Sequence, residues 1–217
     1  MIAANPGGRA TLHIGSRIPR GNVFTEETMS PHFVANTLNA VTLGSASPEQ
    51  KEVLEAAQKQ VGFIPNMYAN MVNVPGVLTT YLHGYAAFRQ KSGFSPAEQE
   101  VVFLAVSQQN GCTYCTAAHS MLADKMSGVP APVLAAIRAH QPIPDPKLKA
   151  LYEFTQELVG TAGKPRQAAA DAFLSAGYTE THVLQIILAA AVKTLSNYTN
   201  HLFRTEVDDK FAAYKVA

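Results

Sequence analysis

From Ser47 onward apolar residues recur at helical spacing, and no convincing strand pattern appears anywhere in the chain. The clearest stripe is Val77, Leu78, Tyr81, Leu82, Tyr85 and Phe88, which predicts a helix beginning near Pro75. Ser47-Pro48-Glu49-Gln50 places a serine cap, a proline at the first helical position and a glutamine three residues after the cap. That signature opens a helix to about Gln60, which Gly62 and Pro65 break. Ser95-Pro96-Ala97-Glu98 repeats it ahead of Val101-Val102-Phe103-Leu104-Ala105-Val106, a run that is apolar on every face. Such a run predicts a central, buried helix, which Asn110-Gly111 stops.

A further helix is expected from Cys112 to about Met126, ending at Gly128 before Pro130. After the proline-rich linker from Gln141, Asp145 and Pro146 open another to about Val159. One more covers roughly 165–175 and ends at Gly177; the last starts after Thr179 and carries Val183, Leu184, Ile186, Ile187 and Leu188. The expected fold is all-α, with a helical domain over 31–217. Residues 1–30, where Pro6, Gly7, Gly8, Pro19 and Gly21 are scattered without periodicity, read as an arm or extension. Val101-Val102, Leu104, Val106 and His119 align at one constant displacement with Val183-Leu184, Ile186, Leu188 and His201. This predicts two related helical units, a thiol-bearing one at about 75–140 and a thiol-free one at about 146–217.

Composition narrows the possible functions. Only 15% of the 217 residues are charged while 47% are apolar, a lean surface that suggests burial against other copies and hence a homo-oligomer. A formal net charge of +1 steers the chain toward neither nucleic acid nor an anionic membrane, so neither is an expected partner. The longest strongly apolar run, Ile186 to Val192, is far too short for a bilayer. Met1 to Gly21 lacks the continuous apolar stretch of a secretory signal, and the expected compartment is cytoplasmic.

The candidate chemistry lies in Cys112-Thr113-Tyr114-Cys115, which holds the only two cysteines, with His119 four positions on. On a helix, positions 112, 115 and 119 fall at about 0°, 300° and 340°, one shared face. Two thiols so placed are suited to making and breaking one bond. One thiolate attacks a peroxide oxygen and becomes a sulfenic acid, the second condenses with it to a disulfide, and an external dithiol reduces the pair. An unperturbed thiol is only about 3% thiolate at pH 7, so the site must lower one of them. The i, i+4 relation to His119 favours Cys115 as the attacking sulfur. The helix start, with its free N–H groups and dipole, favours Cys112 instead.

Glu98 is accounted for as the cap partner of Ser95. Glu100 has no such role and stands at the edge of the buried run, where desolvation should raise its pKa toward values useful for proton transfer. On one straight helix it would lie about 18 Å from Cys112, so a relay requires the chain to turn back near Asn110-Gly111. Competing readings remain for the pair: small core residues, a zinc site of both sulfurs with His119 and Glu100, a general thiol–disulfide oxidoreductase, or a redox-sensing oligomer without turnover. No metal, flavin or haem motif is visible. Tyr114 is expected to line the site. His83, Tyr81, Tyr85, Met67 and Met71 are expected to pack, and His201 to be structural.

Glu100 followed by Cys112-x-x-Cys115-x-x-x-His119 resembles the active-site pattern of alkylhydroperoxidase D, in the carboxymuconolactone decarboxylase superfamily. Asn110 to His119 as a whole and the ending Asn197-Tyr-Thr-Asn-His201 are similar to that family too. The resemblance implies an AhpD-like helical oligomer, a trimer or hexamer, that reduces organic hydroperoxides through Cys112 and Cys115 with Glu100 and His119 as a proton relay. It also implies re-reduction by an external dithiol, a lipoyl-bearing or thioredoxin-like partner, and no bound cofactor or metal. Tyr114 stands where the type member has a histidine. The superfamily's lactone decarboxylases lack the cysteine pair, so decarboxylation is not expected.

Overall fold

A computed structural model describes residues 37–216, and the proposed arm at 1–30 lies outside the described residues. Among the described residues nine α-helices follow one another: α1 (Pro48–Val61), α2 (Asn66–Met71), α3 (Pro75–Lys91), α4 (Pro96–Gln109), α5 (Thr113–Lys125), α6 (Ala131–Arg138), α7 (Pro146–Gly160), α8 (Gln167–Ser175) and α9 (Glu180–Phe203). A short 3₁₀ helix, Asp209–Tyr214, ends the described chain, which contains no strand. The all-α expectation holds.

Both capping boxes form as the sequence implies. The Ser47 hydroxyl accepts from the Gln50 amide and the Gln50 side chain accepts from the Ser47 amide; Ser95 and Glu98 repeat the exchange. Glu98 also accepts from the Tyr178 hydroxyl and pairs with Lys147, so its duties are structural. The sequence pattern does not announce α2 or α6. With 6 and 8 residues they are too short for an apolar stripe to repeat. Pro130, expected as a stop, also opens α6.

As its all-round apolar sequence requires, α4 is the central helix and packs against α5, α7 and α9. Residues 98–107 are all buried. Phe103 lies between the rings of Tyr85 (5.1 Å) and His119 (4.7 Å), which joins the general core to the neighbourhood of the cysteines. No helix of the described residues is long and apolar enough to cross a membrane.

One close approach sets the position of α9. A Cβ at Gly84 of α3 would stand 2.7 Å from Cγ2 of Val192, a stiff, buried side chain. Gly84→Ala should gain about 1 kcal/mol of helix propensity yet lose about 1–3 kcal/mol to overpacking. A net fall in Tm is the expected outcome. An unchanged or raised melting temperature would mean that α3 and α9 separate without cost.

Candidate dithiol site

The site begins with a tight reversal. Asn110 ends α4, Gly111 takes a left-handed backbone (φ 69°), and the Cys112 amide donates to the Ser107 carbonyl at 2.8 Å. Cys112 then serves as the cap of α5, its Sγ accepting from the Cys115 amide at 3.5 Å. The Asn110 side-chain amide donates to Asn197 Oδ1 at 2.9 Å and ties the reversal to α9. The reversal carries α5 back along α4, so that Glu100 Oε2 and His119 Nδ1 meet at 2.7 Å. The required turn is therefore present.

The expectation that Cys112 shares a helical face with Cys115 needs correcting, because Cys112 precedes the first helical residue. The two sulfurs nonetheless converge on one donor. The Asn200 amide lies 3.3 Å from Cys115 Sγ and 3.8 Å from Cys112 Sγ. Both cysteines are reduced and buried.

His119 does not serve Cys115 directly, as the i, i+4 spacing had suggested. Its Nδ1 is engaged by Glu100, and its Nε2 lies 3.0 Å from Nζ of Lys193, a fully buried lysine on α9. Burial and the Lys193 charge together hold the imidazole below its ordinary pKa, in spite of Glu100. With an ionised Glu100 and an ammonium at Lys193, one tautomer satisfies both contacts: Nδ1–H donates to the carboxylate and Nε2 accepts from lysine.

The expected rise in the Glu100 pKa is also overturned. Burial does push its carboxyl up, but the His119 contact and the Arg89 guanidinium outweigh it and hold the group below the usual carboxylate range. Arg89 bonds to Glu100 Oε1 while donating to the Tyr85 hydroxyl, and its guanidinium lies over the rings of Tyr85 and Phe103. Glu100 thus orients His119 and balances Arg89, its carboxylate form favoured by both.

The two thiols are driven apart. Burial pushes Cys115 up, but the hydrogen bond from Cys112, the Lys193 ammonium and His119 hold it well below its ordinary value. The bond to Cys115, burial and the neighbouring negative charge push Cys112 upward. The two shifts make Cys115 the more acidic thiol of the pair. A negative charge on Cys115 would balance Lys193 as Glu100 balances Arg89.

Cys115, His119, Glu100 and Lys193 border a cavity of about 620 Å³. Tyr68, Tyr81, Tyr85, Met67 and Phe211 supply much of its wall, so Tyr81, Tyr85 and Met67 do more than the packing expected of them. Tyr114 lines it as anticipated. Its hydroxyl bonds to Asp208, which also accepts from the Asn66 amide and so pins the 3₁₀ helix against the pocket. Met71 is core, whereas His83 and His201 are exposed and away from the sulfurs. The zinc arrangement does not fit, because both His119 nitrogens are engaged and an ammonium stands beside the sulfur. Among the described residues no group of three or more His, Cys, Asp or Glu is placed to hold a metal.

Sequence reasoning missed Arg89, Lys193 and Asn200. A signal for Lys193 did exist: after Glu180 it is the only charged residue in the whole of α9, set within an apolar run. Asn200 lay in the quoted ending motif without a role.

Residues 75–157 match the model of the carboxymuconolactone decarboxylase family, a stretch that contains Glu100, Cys112, Cys115 and His119. No curated protein matches the chain in sequence. Among solved structures, it is similar to an uncharacterised peroxidase-related protein from Ralstonia eutropha JMP134 described as an alkylhydroperoxidase AhpD core. The TM-score is 0.68 at 20% identity, covering 80% of this chain and 92% of the other. A peroxidase-related protein from Silicibacter sp. TM1040 gives 0.64 at 21% identity, covering 81% and 94%. A variant of the debrominase Bmp8 in complex with 2,3,4-tribromopyrrole gives 0.68 at 15% identity, covering 82% and 95%. At such identities the likeness is one of fold. Residues 75–157 thus carry the likeness to the carboxymuconolactone decarboxylase family, and the helical fold built around that segment is the AhpD-like one.

Proposed function

We propose that the chain is a thiol-dependent peroxidase for organic hydroperoxides. The observation that carries this reading is Cys115: a sulfur in the wall of a largely apolar cavity, beside a buried ammonium, with a second thiol sharing its Asn200 donor. The Cys115 thiolate attacks the outer peroxide oxygen and the O–O bond breaks. The departing alkoxide takes a proton delivered through Lys193 and His119 and leaves as an alcohol. The Cys112 thiol then displaces hydroxide from the Cys115 sulfenic acid, giving a disulfide and water, and two external thiol equivalents restore the pair. Exposed apolar side chains along α9, Leu184, Ile187, Tyr198 and Leu202, support assembly with further copies as a trimer or hexamer.

Peroxide consumption with a dithiol reductant tests the reading. Cys115→Ser should consume nothing, and Cys112→Ser should stop after one equivalent with a sulfenic acid at Cys115. Sustained turnover by Cys115→Ser would overturn it. Disulfide formation without turnover in the parent chain would favour a redox sensor.

A second reading has its own observation: the stacked rings of Tyr81 and Tyr85 in the cavity wall suit a flat ring, and one structural neighbour is a debrominase. There the thiolate would take bromine from carbon as a sulfenyl bromide, the carbon would accept a proton, and Cys112 would release bromide as the disulfide closed. Bromide release from a bromopyrrole, set against hydroperoxide turnover by the same preparation, separates the two.

A further inference from the structure

Cys112 and Cys115 border different cavities. Cys115 lines the apolar one already described. Cys112 lines a second, of about 460 Å³, together with Gln108, Thr113, Thr116, Arg138, His140 and Lys215. The two share no lining residue: α5 separates them, offering Tyr114, Cys115, Ala118 and His119 to one and Thr113 and Thr116 to the other. Their characters differ as well. Two permanent cations, Arg138 and Lys215, and the imidazole of His140 border the second cavity, and no carboxylate does among the described residues. Arg138 is held in place by donating to the Tyr214 carbonyl at 3.0 Å while lying over the Tyr214 ring.

Exchange at a disulfide proceeds with the incoming sulfur, the attacked sulfur and the departing sulfur close to a line. Attack on Cys112 therefore requires approach from its side remote from Cys115, and on that side of α5 lies the cationic cavity. Attack on Cys115 would have to come through the apolar cavity and would expel Cys112, which Lys193 reaches only through its charge, whereas it also hydrogen-bonds Cys115. The better-stabilised thiolate is the better leaving group.

We propose that the oxidised pair is re-reduced from the far side of α5: a small, negatively charged thiol enters the cationic cavity, attacks Cys112 and expels the Cys115 thiolate toward Lys193. The inference rests on the dithiol cycle proposed above. In the first step the incoming thiolate forms a mixed disulfide with Cys112 as the Cys112–Cys115 bond breaks. In the second, another thiolate attacks the reductant's own sulfur through the same cavity and releases the external disulfide. Cys112 then takes up a proton. Hydroperoxide and reductant thus use opposite entrances and do not compete.

The test begins with protein oxidised by diamide and counted for free thiols; failure to form the disulfide would refute the dithiol cycle itself. Oxidised protein is then treated briefly with 3-mercaptopropionate, quenched in acid, alkylated and mapped by mass spectrometry. The adduct is expected on Cys112 with Cys115 alkylated; an adduct on Cys115 overturns the proposal. In parallel, Lys215→Glu should slow reduction by 3-mercaptopropionate about three- to tenfold while leaving 2-mercaptoethanol nearly unaffected. Equal effects on both thiols, or none on either, would show that the cationic cavity is not the entrance. Lys215 lies outside the reacting groups, so hydroperoxide attack in the reduced variant should be unchanged.

Discussion

Lys193→Met is expected to leave a folded protein that has lost most of its activity at neutral pH. Methionine fills similar space, and Cys115 can take up a proton once the lysine is gone, so no uncompensated charge stays buried. What disappears is the cation facing Cys115 and the donor to His119 Nε2. The Cys115 thiol should then titrate nearer its ordinary value or above it, since burial acts unopposed by lysine. Each unit of that rise removes a factor of about ten from the thiolate fraction below the pKa, so a loss on the order of 10- to 100-fold at pH 7 is anticipated. Thiolate absorbance and alkylation rate against pH locate the midpoint, and the variant's curve should shift to higher pH. An unshifted curve with reduced turnover would restrict Lys193 to moving the proton onto the alkoxide. Lys193→Arg tests whether charge alone suffices.

Glu100→Gln should damage both stability and activity. The carboxylate answers Arg89 and His119 at once, and glutamine leaves the guanidinium beside an uncharged amide with a second cation, Lys193, on the other side of the imidazole. Breaking a buried pair typically costs about 3–5 kcal/mol. Because the Arg89 side chain keeps 22% of its exposure, water offsets part of this, and about 2–4 kcal/mol is expected. That corresponds to a Tm lower by roughly 10 °C for a chain of this size. The pH dependence gives an independent readout. A carboxyl depressed in the folded state adds stability that is fully present above its unfolded pKa and disappears as pH falls through the folded one. The gap between parent and variant should therefore be constant near neutrality and close in strong acid. A gap that persists there would mean that Glu100 acts through packing.

Much of this architecture could be read from residue order, and the division follows the range of the interactions. Capping boxes at Ser47 and Ser95, the all-apolar run that became α4, and the Asn110-Gly111 stop are local signals, and each marks a local structure. The meeting of Glu100 with His119 was legible as a condition: the chain had to fold back, and it does. The sense of the Glu100 shift was not, because it depends on contacts with His119 and with Arg89, the latter from the preceding helix across a tertiary contact. Lys193 and Asn200 stand further out, 74 residues from His119 and 85 from Cys115. Helical periodicity names the buried face of α9 but says nothing about which element will cover it. Even the alignment of His119 with His201 led away from the lysine, since the partner to seek was a lone charge in an apolar helix.

The buried ammonium has a consequence for the direction of electron flow. In the proposed cycle a Cys115 thiolate faces Lys193, and closing the bridge to Cys112 would remove that negative charge and leave the lysine against His119. Oxidation would thereby be disfavoured and reduction favoured, which would shift the couple toward a more positive potential. The bridged form would behave like a compressed spring that even a weak electron donor can release.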